Sequence, residues 1–263
     1  GVAFCTPVPS LSPGVVDDAE MFVGRSSHNI STDIQLSNGS SNLVEQAGDL
    51  HDTDGSPELF VLRHGERADR ARGRDDGWVN DVALTKEGRE TAKRAGIALR
   101  PLATCPWAFV YSSPFFRCLQ TANEVAAELG LLVRVEPGLS ELCTAKVFDQ
   151  APQLRNPAES MARALTRVDA DLSVAPVQRI LPQWPEKGHD ANGRVVGTVR
   201  AIAARHPGQA VCLICHSHSV VEITRHIPSE GGGAASSTAG YCALSHISQD
   251  GVLQRCLDVS YLK

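Results

Sequence analysis

Two histidines stand out by what precedes them. The apolar run Glu58-Leu59-Phe60-Val61-Leu62 breaks into Arg63-His64-Gly65-Glu66-Arg67, and Ala210-Val211-Cys212-Leu213-Ile214-Cys215 breaks into His216-Ser217-His218. Each run reads as a buried strand that delivers polar groups at its C-terminal end, where the sites of open α/β sheets form. If the two strands are neighbours, His64 and His216 share one edge of the sheet. Five arginines lie between Arg63 and Arg74, and Arg117 follows Ser112-Ser113-Pro114 into the first turns of an expected helix, where free N–H groups favour anions. The ligand implied is a phosphate dianion, with Arg63, Arg67 and Arg117 as planar donors to its oxygens. Neighbouring cations disfavour protonation of His64, which leaves a neutral imidazole able to attack phosphorus. Such a step yields phosphohistidine and an alcohol or phenol, and it is helped by an acid that protonates the leaving oxygen. Glu141, presented by a turn after another strand, is the candidate acid; Glu66, Asp69 and Asp81 are the alternatives.

These residues belong to ordered blocks. Arg63-His64-Gly65-Glu66 is followed by Gly77-Trp78, Leu84-Thr85 and Gly88. Next come Ser112-Ser113-Pro114 through Arg117 with Gln120-Thr121-Ala122, then Glu136-Pro137-Gly138-Leu139-Ser140-Glu141, and last Ile214-Cys215-His216-Ser217. From about residue 58 to 260 the chain resembles the histidine phosphatase superfamily, also called phosphoglycerate-mutase-like. That resemblance implies His64 as the phosphorylated nucleophile, Arg63, Arg67, Arg117 and His216 as the phosphate pocket, Glu141 as proton donor, and no metal or cofactor. Arg67-Ala68-Asp69 together with Val135-Glu136-Pro137-Gly138-Leu139-Ser140-Glu141 looks most like the phosphatase domains of the suppressor of T-cell receptor signalling proteins. Cofactor-dependent mutases usually continue from the acid into an E-R-x-Y-G-type run, whereas Glu141 here is followed by Leu142-Cys143-Thr144. The expected activity is therefore a metal-independent phosphomonoesterase acting on a small-molecule or protein phosphate ester. A mutase of the same fold is one rival, and a phosphate-binding scaffold without turnover is another.

The elements that must position these residues alternate. Thr85 caps a helix to about Leu99, a strand covers 108–111, and Ser112 or Ser113 with Pro114 opens a helix that ends at Gly130. A strand over 132–135 leads into the Glu136-Pro137-Gly138 turn. Helices are expected over 158–171 and 191–205, a strand over 209–215, and a helix capped by Ser217 or Ser219 to about His226. Strands over 241–247 and 252–258 face each other across Gln249-Asp250-Gly251. The fold class is thus three-layer α/β/α, a mainly parallel sheet with an antiparallel edge.

Composition bounds the rest. Within the formal net charge of −5, eight acids against Arg25 give residues 1–56 a charge of −7 and leave +2 for 57–263. The first segment reads as a disordered acidic extension, the second as the catalytic domain. The overall acidity argues against a nucleic-acid binder, and no apolar run is long enough to cross a membrane. Residues 1–16 lack a secretory pattern, and eight scattered cysteines suit a reducing compartment, so a cytoplasmic protein is expected. Cys212 and Cys215 should lie on opposite faces of their strand and pack in the core. His216-Ser217-His218 lacks further ligands for a metal, and Arg70, Arg72 and Arg74 read as a solvated loop. Leaving-group recognition would fall to 143–190 and 226–240, and neither the substrate nor the oligomeric state is legible.

Overall fold

In a computed structural model the described residues are 55–70, 80–155, 165–168, 175–227 and 236–263. The expected acidic extension lies almost wholly outside them, as do Arg72, Arg74 and Gly77-Trp78. Of the helix expected over 158–171 only 165–168 is described, and there the chain forms a turn whose Val168 bridges Val133.

Six strands form one sheet in the order β3-β2-β4-β1-β5-β6. They are β1 (Glu58–Arg63), β2 (Trp107–Ser112), β3 (Val133–Val135), β4 (Ala210–Cys215), β5 (Leu244–Ile247) and β6 (Leu253–Asp258). β3, β2, β4 and β1 run parallel, while β5 and β6 add the antiparallel edge expected from the final hairpin. β4 is apolar along its whole length and β1 from Leu59 to Leu62, because both faces are covered. Phe60, Leu62, Cys212 and Ile214 pack toward α1 (Lys86–Leu99) and α2 (Phe116–Leu129). Leu59, Val61, Leu213 and Cys215 pack toward α3 (Gly188–Arg205) and α4 (Ser217–Arg225). Cys212 and Cys215 therefore sit in different halves of the core, as the period of a strand requires.

Helix starts carry the main local corrections. The Thr85 hydroxyl does cap α1, accepting the Gly88 N–H at 2.8 Å. α2, however, begins at Phe116 rather than just after Ser113, and Phe115 holds the cap position without a side-chain bond. The Phe116 N–H is instead met by Asp81 Oδ1 at 2.6 Å, from a loop 35 residues earlier. α4 likewise begins at Ser217, so His216 occupies the cap position and neither Ser217 nor Ser219 acts as the capping residue. β4 passes into α4 through His216 alone, whereas Ser113-Pro114-Phe115 separate β2 from α2, and both His216 and Ser113 are taken up by the site. Gly130 ends α2 in the left-handed conformation at φ 72°, as its position suggested.

One close approach locks the first histidine loop. A Cβ on Gly88 would stand 2.6 Å from the Glu66 carbonyl oxygen, and one on Gly65 2.7 Å from that of Gly88. The loop after β1 thus lies directly on the first turn of α1, a spacing only glycine permits.

Candidate active site

Register brings the two histidines together. Arg63 pairs with Cys215 at the last rung of the β1–β4 ladder, and the His64 N–H donates to the Cys215 carbonyl at 3.0 Å. His64 and His216 are thus each the first residue past a paired strand end, with ring centroids 5.5 Å apart. β2 flanks β4 on its other side, and the Ser113 N–H donates to Ile214 O at 3.0 Å, so Ser113 joins the same edge.

The two rings are prepared differently. Nδ1 of His64 lies 2.8 Å from the Gly65 carbonyl oxygen, which can only accept, so Nδ1 carries the proton and the Nε2 lone pair is left for chemistry. Burial, then the charges of Arg117, His216 and Arg63, hold this imidazole well below its ordinary pKa despite the bond to Gly65. It is neutral at neutral pH. His216 places Nε2 2.8 Å from Ser113 Oγ, while its Nδ1 lies 3.2 Å from Glu141 Oε2 and 3.1 Å from Arg117 Nη2. The Ser113 hydroxyl can donate or accept, so it keeps its bond to either tautomer. Burial and Arg117 outweigh the pull of Glu141 and bring His216 down to about 4.

Arg117 is the hub. Its guanidinium is almost wholly buried, with Nε 3.3 Å from His64 Nε2 and Nη2 within 3.5 Å of Glu141 Oε2, and it stacks 4.5 Å from the Phe115 ring centroid. Arg63 sits over the Tyr241 ring at 4.2 Å and donates through Nη1 to Ala239 O at 2.6 Å. Its buried Nε–H has no acceptor among the described residues, leaving a donor for an oxyanion. Arg67 stands apart. Asp69 holds it through Nε (3.0 Å) and Nη2 (2.6 Å), and no described hydrogen bond links it to His64, His216 or Glu141. It is near enough for its charge to lower the Arg63 pKa.

Glu141 is the carboxylate brought to both His216 and Arg117. Burial pushes its pKa up, but His216 and Arg117 more than reverse that and hold it at about 2. The alternative acids are engaged elsewhere. Glu66 accepts the Thr85 hydroxyl, Asp69 holds Arg67, and Asp81 binds the N–H groups of Phe116 and Arg155. His218 turns from His216 to Asn192 Oδ1, 2.9 Å away on α3. Among the described residues no group of three His, Cys, Asp or Glu side chains is placed to hold a metal ion, and no helix is long and apolar enough to cross a membrane.

Sequence reading missed several neighbours. The Tyr241 ring lies 6.0 Å from His64, and Cys118 Sγ lies 3.6 Å from His216 Nε2. Thr121 accepts the Gly65 N–H at 3.0 Å and donates to Arg117 O at 2.8 Å, tying the loop after His64 to the helix that carries Arg117. The Gln120-Thr121 pair was the one available signal for that tie.

Residues 59–259 match the pattern of the histidine phosphatase superfamily, branch 1. The chain is 24% identical to the ecdysteroid-phosphate phosphatase of Drosophila melanogaster over 78% of this chain, and it spans about a third (33%) of that relative's length. Phosphoglycerate mutase 1 of Saccharomyces cerevisiae is 37% identical over 67 residues, 26% of each protein. Among solved structures, the ecdysone phosphate phosphatase of Bombix mori in complex with tungstate superposes with a TM-score of 0.61 at 23% identity, covering 73% of this chain and 89% of that one. The phosphoglycerate mutase of Bacillus anthracis superposes with a TM-score of 0.54 at 18% identity, covering 80% and 96%. At these identities the two structures speak for the fold. With the sequence pattern spanning the sheet and the histidine edge together, the chain belongs to the histidine phosphatase superfamily.

Proposed function

We propose that this protein is a metal-independent phosphomonoesterase that forms a phosphohistidine on His64. The observation that carries the reading is a buried, neutral His64 whose Nδ1 proton is fixed on Gly65 O and whose Nε2 faces Arg117. A bound phosphate would take over the Arg117 Nε–H and the free Nε–H of Arg63, releasing the Nε2 lone pair for in-line attack. The N–P bond forms as the ester P–O bond breaks, and the leaving oxygen takes a proton from Glu141. Water then attacks the phosphohistidine and gives its proton to the Glu141 carboxylate, freeing His64 and inorganic phosphate.

Held at about 2, Glu141 is a carboxylate in the free site and needs a proton before it can act as an acid. A phosphate group in the pocket supplies the reason for gaining one. Its negative charge opposes that of the carboxylate, and it competes for Arg117 and His216. A substrate entering as the monoanion can also bring the proton with it, since the second pKa of a phosphate monoester lies near ~6.

Incubation with an aryl phosphate in excess EDTA should release inorganic phosphate. His64→Ala should lower the rate at least ~10⁴-fold, and a ³²P label should be trapped on the wild type but not on the variant. Turnover that survives the substitution would refute the mechanism. Transfer of label to a second hydroxyl in place of phosphate release would identify a mutase.

A further inference from the structure

Glu141 is held from behind. Arg194, on α3, donates through Nη1 to the carbonyl oxygens of Gly138 (2.8 Å) and Ser140 (3.2 Å), and through Nη2 to that of Glu141 itself (3.3 Å). The remaining face of the guanidinium is paired with Glu186, Nε to Oε1 at 2.7 Å and Nη2 to Oε2 at 2.9 Å. Glu186 also fixes the far side of the turn. Its Oε2 accepts the Cys143 N–H at 3.2 Å, and its own N–H donates to Cys143 O at 2.7 Å. Both side chains are buried to about nine-tenths, at 11% and 9% exposure. A second carboxylate, Glu136, closes the near end by accepting the N–H groups of Gly138, Val177 and Gln178 at 2.6–3.0 Å.

Such an arrangement is more than a fastening for a loop. Three carbonyls within four residues, those of Gly138, Ser140 and Glu141, aimed at one planar cation fix the path of Gly138–Glu141, and the fork geometry cannot be reproduced by an ammonium. The carboxylate leaves that backbone on the side of His216 and Arg117, so its height over the phosphate pocket depends on the path being kept. General acid catalysis requires its proton within hydrogen-bond reach of the leaving oxygen, and small displacements are costly.

We propose that Arg194, paired with Glu186, is a positioning residue that sets Glu141 for proton transfer to the leaving group. The inference rests on the reading of Glu141 as the acid and adds to it the device that aims the acid. Arg194 contacts neither His64 nor Arg63 in the described hydrogen bonds, so its loss should spare phosphate binding and attack while weakening protonation of the leaving oxygen.

The test compares p-nitrophenyl phosphate, whose leaving group needs little acid help, with an alkyl phosphate that needs it. Slowing is read as loss of kcat/KM, which reports expulsion of the leaving group and not the later hydrolysis that Glu141 also assists; Arg194→Lys should lower it about 10–100-fold for the alkyl ester and less than about 3-fold for the aryl ester. Glu141→Ala should show the same selectivity more strongly, and Arg194→Lys in that background should add little. Glu186→Gln, which keeps the size of the partner, should give a smaller effect of the same kind and serves if Arg194→Lys fails to fold by circular dichroism. Equal slowing of both esters by Arg194→Lys or, where that variant is unfolded, by Glu186→Gln, beside a selective Glu141→Ala, would overturn the positioning role alone. Full additivity with Glu141→Ala would do the same. Equal slowing in Glu141→Ala itself would overturn the assignment of the acid and the positioning role together.

Discussion

His64 and Glu141 face opposite demands on their protons. In the proposed mechanism the nucleophile must be bare, and burial, with the Arg117 and Arg63 charges beside it, keeps His64 so. The proposed acid must be protonated, yet, against the upward push of burial, His216 and Arg117 hold Glu141 at about 2. The proton must therefore arrive with the substrate or because of it. For an alkyl phosphate, kcat/KM should be highest below about pH 6, where the monoanion is present, and should fall up to ~10-fold per pH unit above that. An aryl phosphate should show a flatter profile, and equal profiles for the two would contradict this proton route. Ser113 offers a second check at this scale. Its hydroxyl is the close partner of His216 Nε2 in a fully buried setting, so Ser113→Ala leaves that ring nitrogen only the weak Cys118 thiol at 3.6 Å and should lower stability by about 1–3 kcal/mol in urea titration.

At the scale of elements, the start of α2 matters most. Arg117 is its second residue, and the helix is begun by Asp81 from another loop rather than by the serine that precedes it. Asp81→Ala should cost about 1–2 kcal/mol of stability and should raise KM for any phosphate ester, because the first turn that aims Arg117 loosens. A stability loss with KM unchanged would confine Asp81 to a structural role. Gly88→Ala tests the other anchor. Its new methyl meets the Glu66 backbone rather than a flexible side chain, so the loop carrying His64 must move, at about 1–3 kcal/mol.

Across the whole molecule, burying neutral histidines has a thermodynamic signature. His64 and His216 both have depressed pKa values in the folded state, His216 about 4, so the unfolded chain binds more protons as pH falls below about 6.5. Their contribution is complete above pH 6.5 and is lost as pH falls through the folded values, with Glu141 adding a further loss below its ordinary range toward 2. Urea unfolding at pH 7 and pH 5 should show wild type losing on the order of 2 kcal/mol per histidine. His64→Asn should lose correspondingly less over the same interval. The same molecule also shows where local reading sufficed. β1, β4 and the terminal hairpin announced themselves through apolar runs and a turn signal, and Arg117, His64, His216 and Glu141 were all found at the predicted edge. Arg67 was expected in the pocket on the same footing but is held by Asp69, two residues along.

The division has a physical cause. Strand and helix periods, a Gly cap and charged residues that end apolar runs are short-range patterns, so they specified an α/β sheet with two histidine-bearing strand ends before any contact was known. Which atoms meet across that edge depends on chain segments far apart in sequence. Asp81 replaced a local cap, Ser113 turned to a histidine 103 residues away, and Arg194 reached back 53 residues to hold the Glu141 backbone. A buried polar group must find a partner, but nothing in its own neighbourhood says which one, because packing brings the partner there. Only the assembled sheet and its two helical layers decided that.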